Sequence, residues 1–157
     1  MATEIERKFL VRDDSWRAQA KESTKIRQAY LANTGLSSVR IRIAGELANI
    51  NIKQMRIGPS RSEYEYGIPL VDAGELLDTL CENAGIEKTR YYVERSPHTW
   101  EIDVFGGANE GLVVAEIELS DVNEHFDRPG WLGQEVTDDA RYYNVALSLS
   151  PWTQWQD

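Results

Sequence analysis

With 157 residues, 41% hydrophobic and 27% charged, the chain is long enough to bury a core as one domain spanning 1–157 without disulfide or metal support. Its 17 Lys and Arg against 26 Asp and Glu give a formal charge of −9, a field that repels duplex nucleic acid and admits small anions only where basic groups are concentrated. Residues 1–4 show no leader pattern, no apolar run approaches the roughly 20 residues of a membrane span, and the lone Cys81 beside Leu77 and Leu80 reads as core packing, so a cytoplasmic protein is expected.

Period-two alternation predicts eight strands, with helices between them. The first, 5–11, sets Glu4, Glu6 and Lys8 against Ile5, Phe9 and Val11. Asp14 or Ser15 is the expected cap of a helix through about Lys21. Strands at 26–31, 39–43, 48–55 and 61–68 follow; the second of these opposes Arg40 and Arg42 to Val39, Ile41 and Ile43. The next two oppose Asn49, Asn51 and Lys53 to Ile50 and Ile52, and Arg61, Glu63 and Glu65 to Tyr64, Tyr66 and Ile68. Asp72 and Glu75 form a capping-box pattern for a helix over 72–84, with Gly85 able to supply the left-handed residue after it. Strands at 88–95, 99–105 and 112–119 carry Lys88, Arg90 and Glu94, then Glu101 and Asp103, then Glu116 and Glu118 on their charged faces. Ser120 is the expected cap of a helix through His125, and 144–149 reads as a last short helix. Short turns at Gly45, Pro59 and Pro97 favour antiparallel hairpins, so an α+β domain is expected whose sheet is a meander or a closed barrel.

Taken singly, each charged row is the solvent face of a half-buried strand. Taken together, the rows pair like charges at i and i+2, in Glu4 with Glu6, Arg40 with Arg42, Glu63 with Glu65, Lys88 with Arg90, Glu101 with Asp103 and Glu116 with Glu118. Neighbours of one sign repel unless a ligand between them supplies the other. Carboxylate pairs suit a hard divalent cation such as Mg²⁺ or Mn²⁺, and Arg and Lys pairs suit phosphate oxygens, so the implied ligand is a metal-complexed polyphosphate. If the sheet closes with its charged face inward, it encloses a polar tunnel and leaves apolar rows outside for helices to cover. His98 and His125, in polar turn-like contexts, read as solvated loop residues, and Trp131, Trp152 and Trp155 read as packing.

The segment Glu4-Ile5-Glu6-Arg7-Lys8 resembles the opening Glu-x-Glu-x-Lys motif of the CYTH superfamily, the triphosphate tunnel metalloenzymes. Gln28-Ala29-Tyr30-Leu31, Arg40-Ile41-Arg42, Lys53, Arg61 to Glu65, Lys88 to Tyr91, Glu101 to Asp103, Glu116 to Glu118 and Glu135 to Thr137 fall in that family's order. The resemblance implies an eight-stranded antiparallel tunnel with helices packed outside, and hydrolysis of a triphosphate, above all inorganic tripolyphosphate, with Mg²⁺ or Mn²⁺. It implies Glu4, Glu6, Glu116, Glu118 and Asp103 as metal ligands, with Glu101 as further acidic wall. Lys8, Arg40, Arg42, Lys53, Arg61, Arg90 and Arg141 would hold the triphosphate, and Glu63, Glu65, Lys88 and Tyr30 would serve the attacking water. The rivals within the family are a class IV adenylyl cyclase and another nucleoside or thiamine triphosphatase; outside enzymes the rival is a non-catalytic polyphosphate-binding module, and a homodimer is a plausible assembly. Two departures stand out: Asn51 where the family often has Thr, and Ala140 where it often has a Lys before Arg141.

Overall fold

Nine strands and two α-helices form among the residues described by the computed structural model, 3–82 and 85–155. In chain order they are β1 (Thr3–Val11), β2 (Glu22–Asn33), β3 (Ser37–Ala44), β4 (Leu47–Gln54), β5 (Ser60–Gly67), α1 (Leu70–Thr79), β6 (Ile86–Arg95), β7 (His98–Phe105), β8 (Val113–Glu118), β9 (Leu132–Glu135) and α2 (Asn144–Leu149). All pairings are antiparallel, and eight strands close into a barrel in the order β5-β4-β3-β2-β6-β7-β8-β1, sealed by β1 against β5. The ninth, β9, lies outside this ring on β1.

The seam has a specific construction. Thr3–Ile5 of β1 pair with Ser62–Ser60 of β5, whereas Phe9 and Val11 pair with Glu135 and Leu132 of β9. Strand β1 therefore divides one edge between two partners while its other edge runs along β8, from Glu6 opposite Glu118 to Leu10 opposite Val114.

Apolar rows face outward and are covered in three patches. Phe9, Val93, Trp100, Ile102, Ala115 and Ile117 pack beneath Trp16, Trp131 and Leu132. Trp100 meets Phe9 and Trp131 edge-to-face at 5.6 Å, pairs worth about 0.5–1.5 kcal/mol each beyond their buried area. Helix α1 covers Ala29, Ile41 and Ala48 with Ala73 and Leu77. Helix α2 brings Leu147 onto Ile86, Phe105 and Val114, with Trp152 and Trp155 around them. Ile86 and Val114 continue the rows that carry Lys88 and Glu116, so the charged interior gives way to an apolar plug at that end. No helix among the described residues is long and apolar enough to cross a membrane.

Several expected boundaries change. Helix α1 starts at Leu70, with Pro69 at its N-cap and no side-chain cap, so the Asp72–Glu75 capping box does not form. The helix ends at Thr79 because the chain turns toward β2, where Glu82 N–H donates to Tyr30 O; residues 83 and 84 of the expected helix lie outside the described residues. Gly85 does take a left-handed φ of 83°, but it immediately precedes β6, and a Cβ there would stand 2.3 Å from Gln28 O. Residues 15–19 form only a 3₁₀ turn, with Asp13 rather than Asp14 accepting from Ser15. The segment from Ser120 to His125 is a turn, because the Glu124 carboxylate takes the Ser120 N–H and meets His98 instead of extending a helix. His98 is thereby half-buried at the start of β7 rather than a free loop residue, while His125 is exposed. The helix at 144–149 forms with the expected limits.

Candidate active site

The inner rows of the barrel enclose a cavity of about 530 Å³. Glu4, Glu6, Lys8, Tyr30, Arg40, Arg42, Lys53, Arg61, Glu63, Glu65, Lys88, Arg90, Glu101, Glu116 and Glu118 line it, as alternation along each strand requires. Two of the residues implied by sequence sit elsewhere. Arg141 is 65% exposed, paired with Asp139 at 2.7 Å and stacked on Trp155, and it is Ala140 that faces the cavity in its place. Asp103 is buried on the inward row of β7 but does not line the cavity; it accepts from Arg90 at 2.8 and 3.0 Å and meets Lys88 at 2.7 Å. Both of its oxygens meet these two cations, so in that place it stands as their counter-ion.

The cations divide by what already neutralises them. Arg90 also meets Glu116 at 3.0 Å and Glu101 at 3.3 Å; Lys8 meets Glu116 at 3.5 Å; Lys53 meets Glu4 at 3.0 Å and Glu63 at 3.5 Å. Arg40 and Arg42 form no ion pair among the described residues. Arg40 Nε is buried without a hydrogen-bond partner, and Arg42 Nε donates to the neutral Gln28 Oε1 at 2.8 Å. Burial, with the neighbouring charges of Arg40 and Arg90, pulls Arg42 down to about 10. Arg61 donates to Gly58 O and lies over the Tyr143 ring at 4.7 Å, again without a carboxylate. These three arginines are uncommitted positive charge at the wall of an enclosed space, which is what an anion requires.

The carboxylates crowd one side. Glu4 stands within hydrogen-bonding reach of Glu6 and Glu63, and Glu6 of Glu116. Burial, then the charges of Glu116 and Glu4, hold the Glu6 carboxyl well above its usual range. Burial opposes ionisation of Glu4 as well, but Lys53 and the neighbouring acids bring it to about 2. Glu116 is held well below the usual range, where Lys8, Glu6 and Arg90 outweigh its burial. Glu4 Oε2 is buried and accepts no aligned hydrogen bond, although the Lys53 ammonium stands beside it. An all-oxygen set in which burial and mutual repulsion hold one carboxyl above its usual range fits a hard divalent cation. No group of three His, Cys, Asp or Glu among the described residues is preassembled as a metal cage. Mg²⁺ is commonly held by one or two carboxylates and completed by substrate phosphate, which suits this arrangement.

Neutral residues complete the site. Asn51 donates to Glu63 at 3.0 Å and Glu65 at 3.3 Å, a bridge that needs the two N–H groups a Thr lacks. Tyr143 accepts from Gly58 N–H at 3.0 Å and donates to Thr137 O at 2.6 Å, fixing its ring against Arg61 and Lys8. Lys88, fully buried, donates to Asn144 Oδ1 at 2.9 Å, and burial pulls its ammonium down to about 7, with Arg90 and Arg42 assisting and Asp103 and Glu116 opposing. Gln28 shares the row of Tyr30 and was visible in the sequence pattern; Asn144 and Tyr143 come from a segment with no strand periodicity and were not.

Comparison with known proteins gives a consistent result. The family model described as CYTH domain matches residues 2–145. An inorganic triphosphatase of Acetivibrio thermocellus is 44% identical over 157 residues, covering the whole of both chains. One of Nitrosomonas europaea is 38% identical over 152 residues, covering 94% of this chain and 98% of its own. The crystal structure of the inorganic triphosphatase NE1496 superposes with a TM-score of 0.67 at 34% identity, over 96% of this chain and 97% of that one.

Proposed function

The chain belongs to the CYTH domain family, and we propose that it is a metal-dependent triphosphatase that cleaves inorganic tripolyphosphate to pyrophosphate and phosphate. The observation that carries this reading is the pair of arginines without counter-ions, the buried Arg40 and the half-buried Arg42, sharing one cavity with a cluster of mutually repelling carboxylates.

Arg40, Arg42 and Arg61 take the charge of the phosphate chain, with Lys8, Lys53 and Arg90 at its flanks, and hold it for in-line attack. Glu4, Glu6, Glu116 and Glu118 are the residues that would hold Mg²⁺ or Mn²⁺. When bound, the cation neutralises phosphate oxygens and adds to the positive field at the reacting phosphorus. Water attacks the terminal phosphorus, the bridging P–O bond breaks, and pyrophosphate leaves with that bond's electron pair. Lys88, neutral above about pH 7, takes the proton of the attacking water, and Tyr30, Glu63 and Glu65 orient it. Positioning and charge stabilisation supply the rate, as in phosphoryl transfer generally.

The test is phosphate release from tripolyphosphate, pyrophosphate, ATP and thiamine triphosphate, with Mg²⁺ and Mn²⁺ in turn. Tripolyphosphate is expected to give the highest kcat/KM, because the lining contacts fit phosphate and none is assigned to a nucleobase. Cyclic AMP as the main product from ATP would overturn the reading in favour of a cyclase.

A further inference from the structure

Four polar side chains form a hydrogen-bonded chain at the boundary between the charged cavity and the apolar plug. Arg42 Nε donates to Gln28 Oε1 at 2.8 Å, Gln28 Nε2 donates to Asn144 Oδ1 at 3.2 Å, and Lys88 Nζ donates to the same oxygen at 2.9 Å. Each amide orientation is dictated by its neighbour: the guanidinium can only donate, so Gln28 presents its oxygen to Arg42 and its N–H to Asn144. Asn144 must then present oxygen, and its two lone pairs are filled by Gln28 and Lys88. Gln28 is fully buried, and Lys88 and Asn144 both line the cavity.

We propose that Asn144 is a positioning residue for the triphosphatase reaction: its side-chain oxygen, together with Asp103, fixes two of the three Nζ directions of Lys88 and leaves the third for the reacting water. This rests on the assignment of Lys88 above. Neither acceptor has a proton to give Lys88, and after deprotonation the amine can still donate twice to them while its lone pair takes the remaining direction. A lysine side chain otherwise samples many rotamers, and a displacement of about 1 Å at a reacting group costs on the order of 10² in rate.

The choice of a neutral amide is also chemically specific. Lys88 faces Asp103 on β7, Glu116 on β8, Arg90 on its own strand and Arg42 on β3. Helix α2, with the sequence NVALSL, brings no ionisable group. A carboxylate at residue 144 would keep the acceptor but add a second anion beside the amine and retain its proton. The helix that plugs the barrel thus carries the anchor for the base on its first residue.

The experiment is steady-state hydrolysis of inorganic tripolyphosphate with Mg²⁺ across pH by wild type, Asn144→Ala, Asn144→Asp and the control Ser148→Ala, whose hydroxyl bonds only Val145 O within α2. Asn144→Ala is expected to lower kcat about tenfold or more while KM stays within about threefold, because the phosphate grip is untouched. Asn144→Asp, nearly isosteric, is expected to fold and to regain most of kcat, but only at higher pH, its acid limb displaced upward. Ser148→Ala is expected to match wild type. Equal kcat for Asn144→Ala and Ser148→Ala, or superimposable pH profiles for Asn144→Asp and wild type, would overturn the proposal. Absence of turnover by wild type would overturn the triphosphatase reading itself, and this inference with it.

Discussion

Asp103 Oδ2 stands 2.7 Å from Lys88 Nζ, and neither side chain has more than 1% of its surface in contact with solvent. The same carboxylate accepts twice from Arg90, so one anion serves two buried cations. Its removal strands both.

Asp103→Asn keeps the shape and deletes that charge. Breaking a buried ion pair by removing one partner costs about 3–5 kcal/mol, because the remaining charge stays desolvated. Urea unfolding at neutral pH should show a loss of that order, and a loss under about 1 kcal/mol would contradict the pairing. Activity carries a second signature: Asp103 opposes the fall in the Lys88 pKa, so its loss should move the acid limb of the rate profile to lower pH.

Metal dependence should vary with pH in a direction set by Glu6. Its folded-state pKa lies above the ordinary 4.5, so the folded chain holds a proton there that the unfolded chain releases. That contribution to stability is present at low pH and is lost as pH rises above 4.5 toward the folded value. A divalent cation takes the proton's place only where the carboxylates are ionised. Mg²⁺ or Mn²⁺ should therefore raise Tm more near pH 8 than near pH 5. Glu6→Gln should abolish the difference and lower kcat by roughly 10² or more. Full turnover in EDTA would remove these acids from a metal site.

Arg40 should bind phosphate at little cost to the empty fold. Tripolyphosphate with Mn²⁺ at about a hundredfold above its Kd adds ~2.7 kcal/mol to stability, a Tm rise of roughly 5–11 °C for a domain of this size. Arg40→Ala should shrink that rise while leaving the ligand-free Tm nearly unchanged, since it also relieves repulsion against Arg42. Arg128→Ala, at an exposed arginine stacked on Phe9 and Phe126, serves as the control. Equal ligand shifts in all three proteins at about 0.15 M salt would exclude Arg40 from the grip.

The sequence made the wall legible and left its wiring hidden. Period-two alternation assigns Glu4, Arg40, Lys53 and Glu116 to one face because side-chain direction in a strand is local. Which acid meets which cation depends on register between strands far apart in the chain: Arg90 sits opposite Asp103 on β7 and reaches Glu116 on β8 beyond it. Asp103 therefore read as a metal ligand, whereas its contacts in the fold are with Arg90 and Lys88. Arg141 read as one of the cations that hold the triphosphate, yet the 3₁₀ turn at Ala140–Tyr142, capped by Asp139, aims it outward. Asn144 carried no signal, since an Asn opening a short helix is ordinary until the partner beneath it is known.

The divided edge of β1 has a kinetic meaning. Glu6 pairs with Glu118, and Phe9 with Glu135, so the first strand finds two of its three neighbours more than a hundred residues along the chain, and the third, β5, more than fifty. Hairpins such as β3–β4 and β6–β7 can form locally, but the ring closes only when β8 and β5 flank β1. Pairings of such sequence separation give high contact order, which places folding in the slow, millisecond-to-second range of β-rich domains. Closing the ring is the step that encloses the inward rows, which separate hairpins leave in water. Phosphate ions in the refolding buffer should then speed or stabilise the closing step without altering the hairpins that precede it.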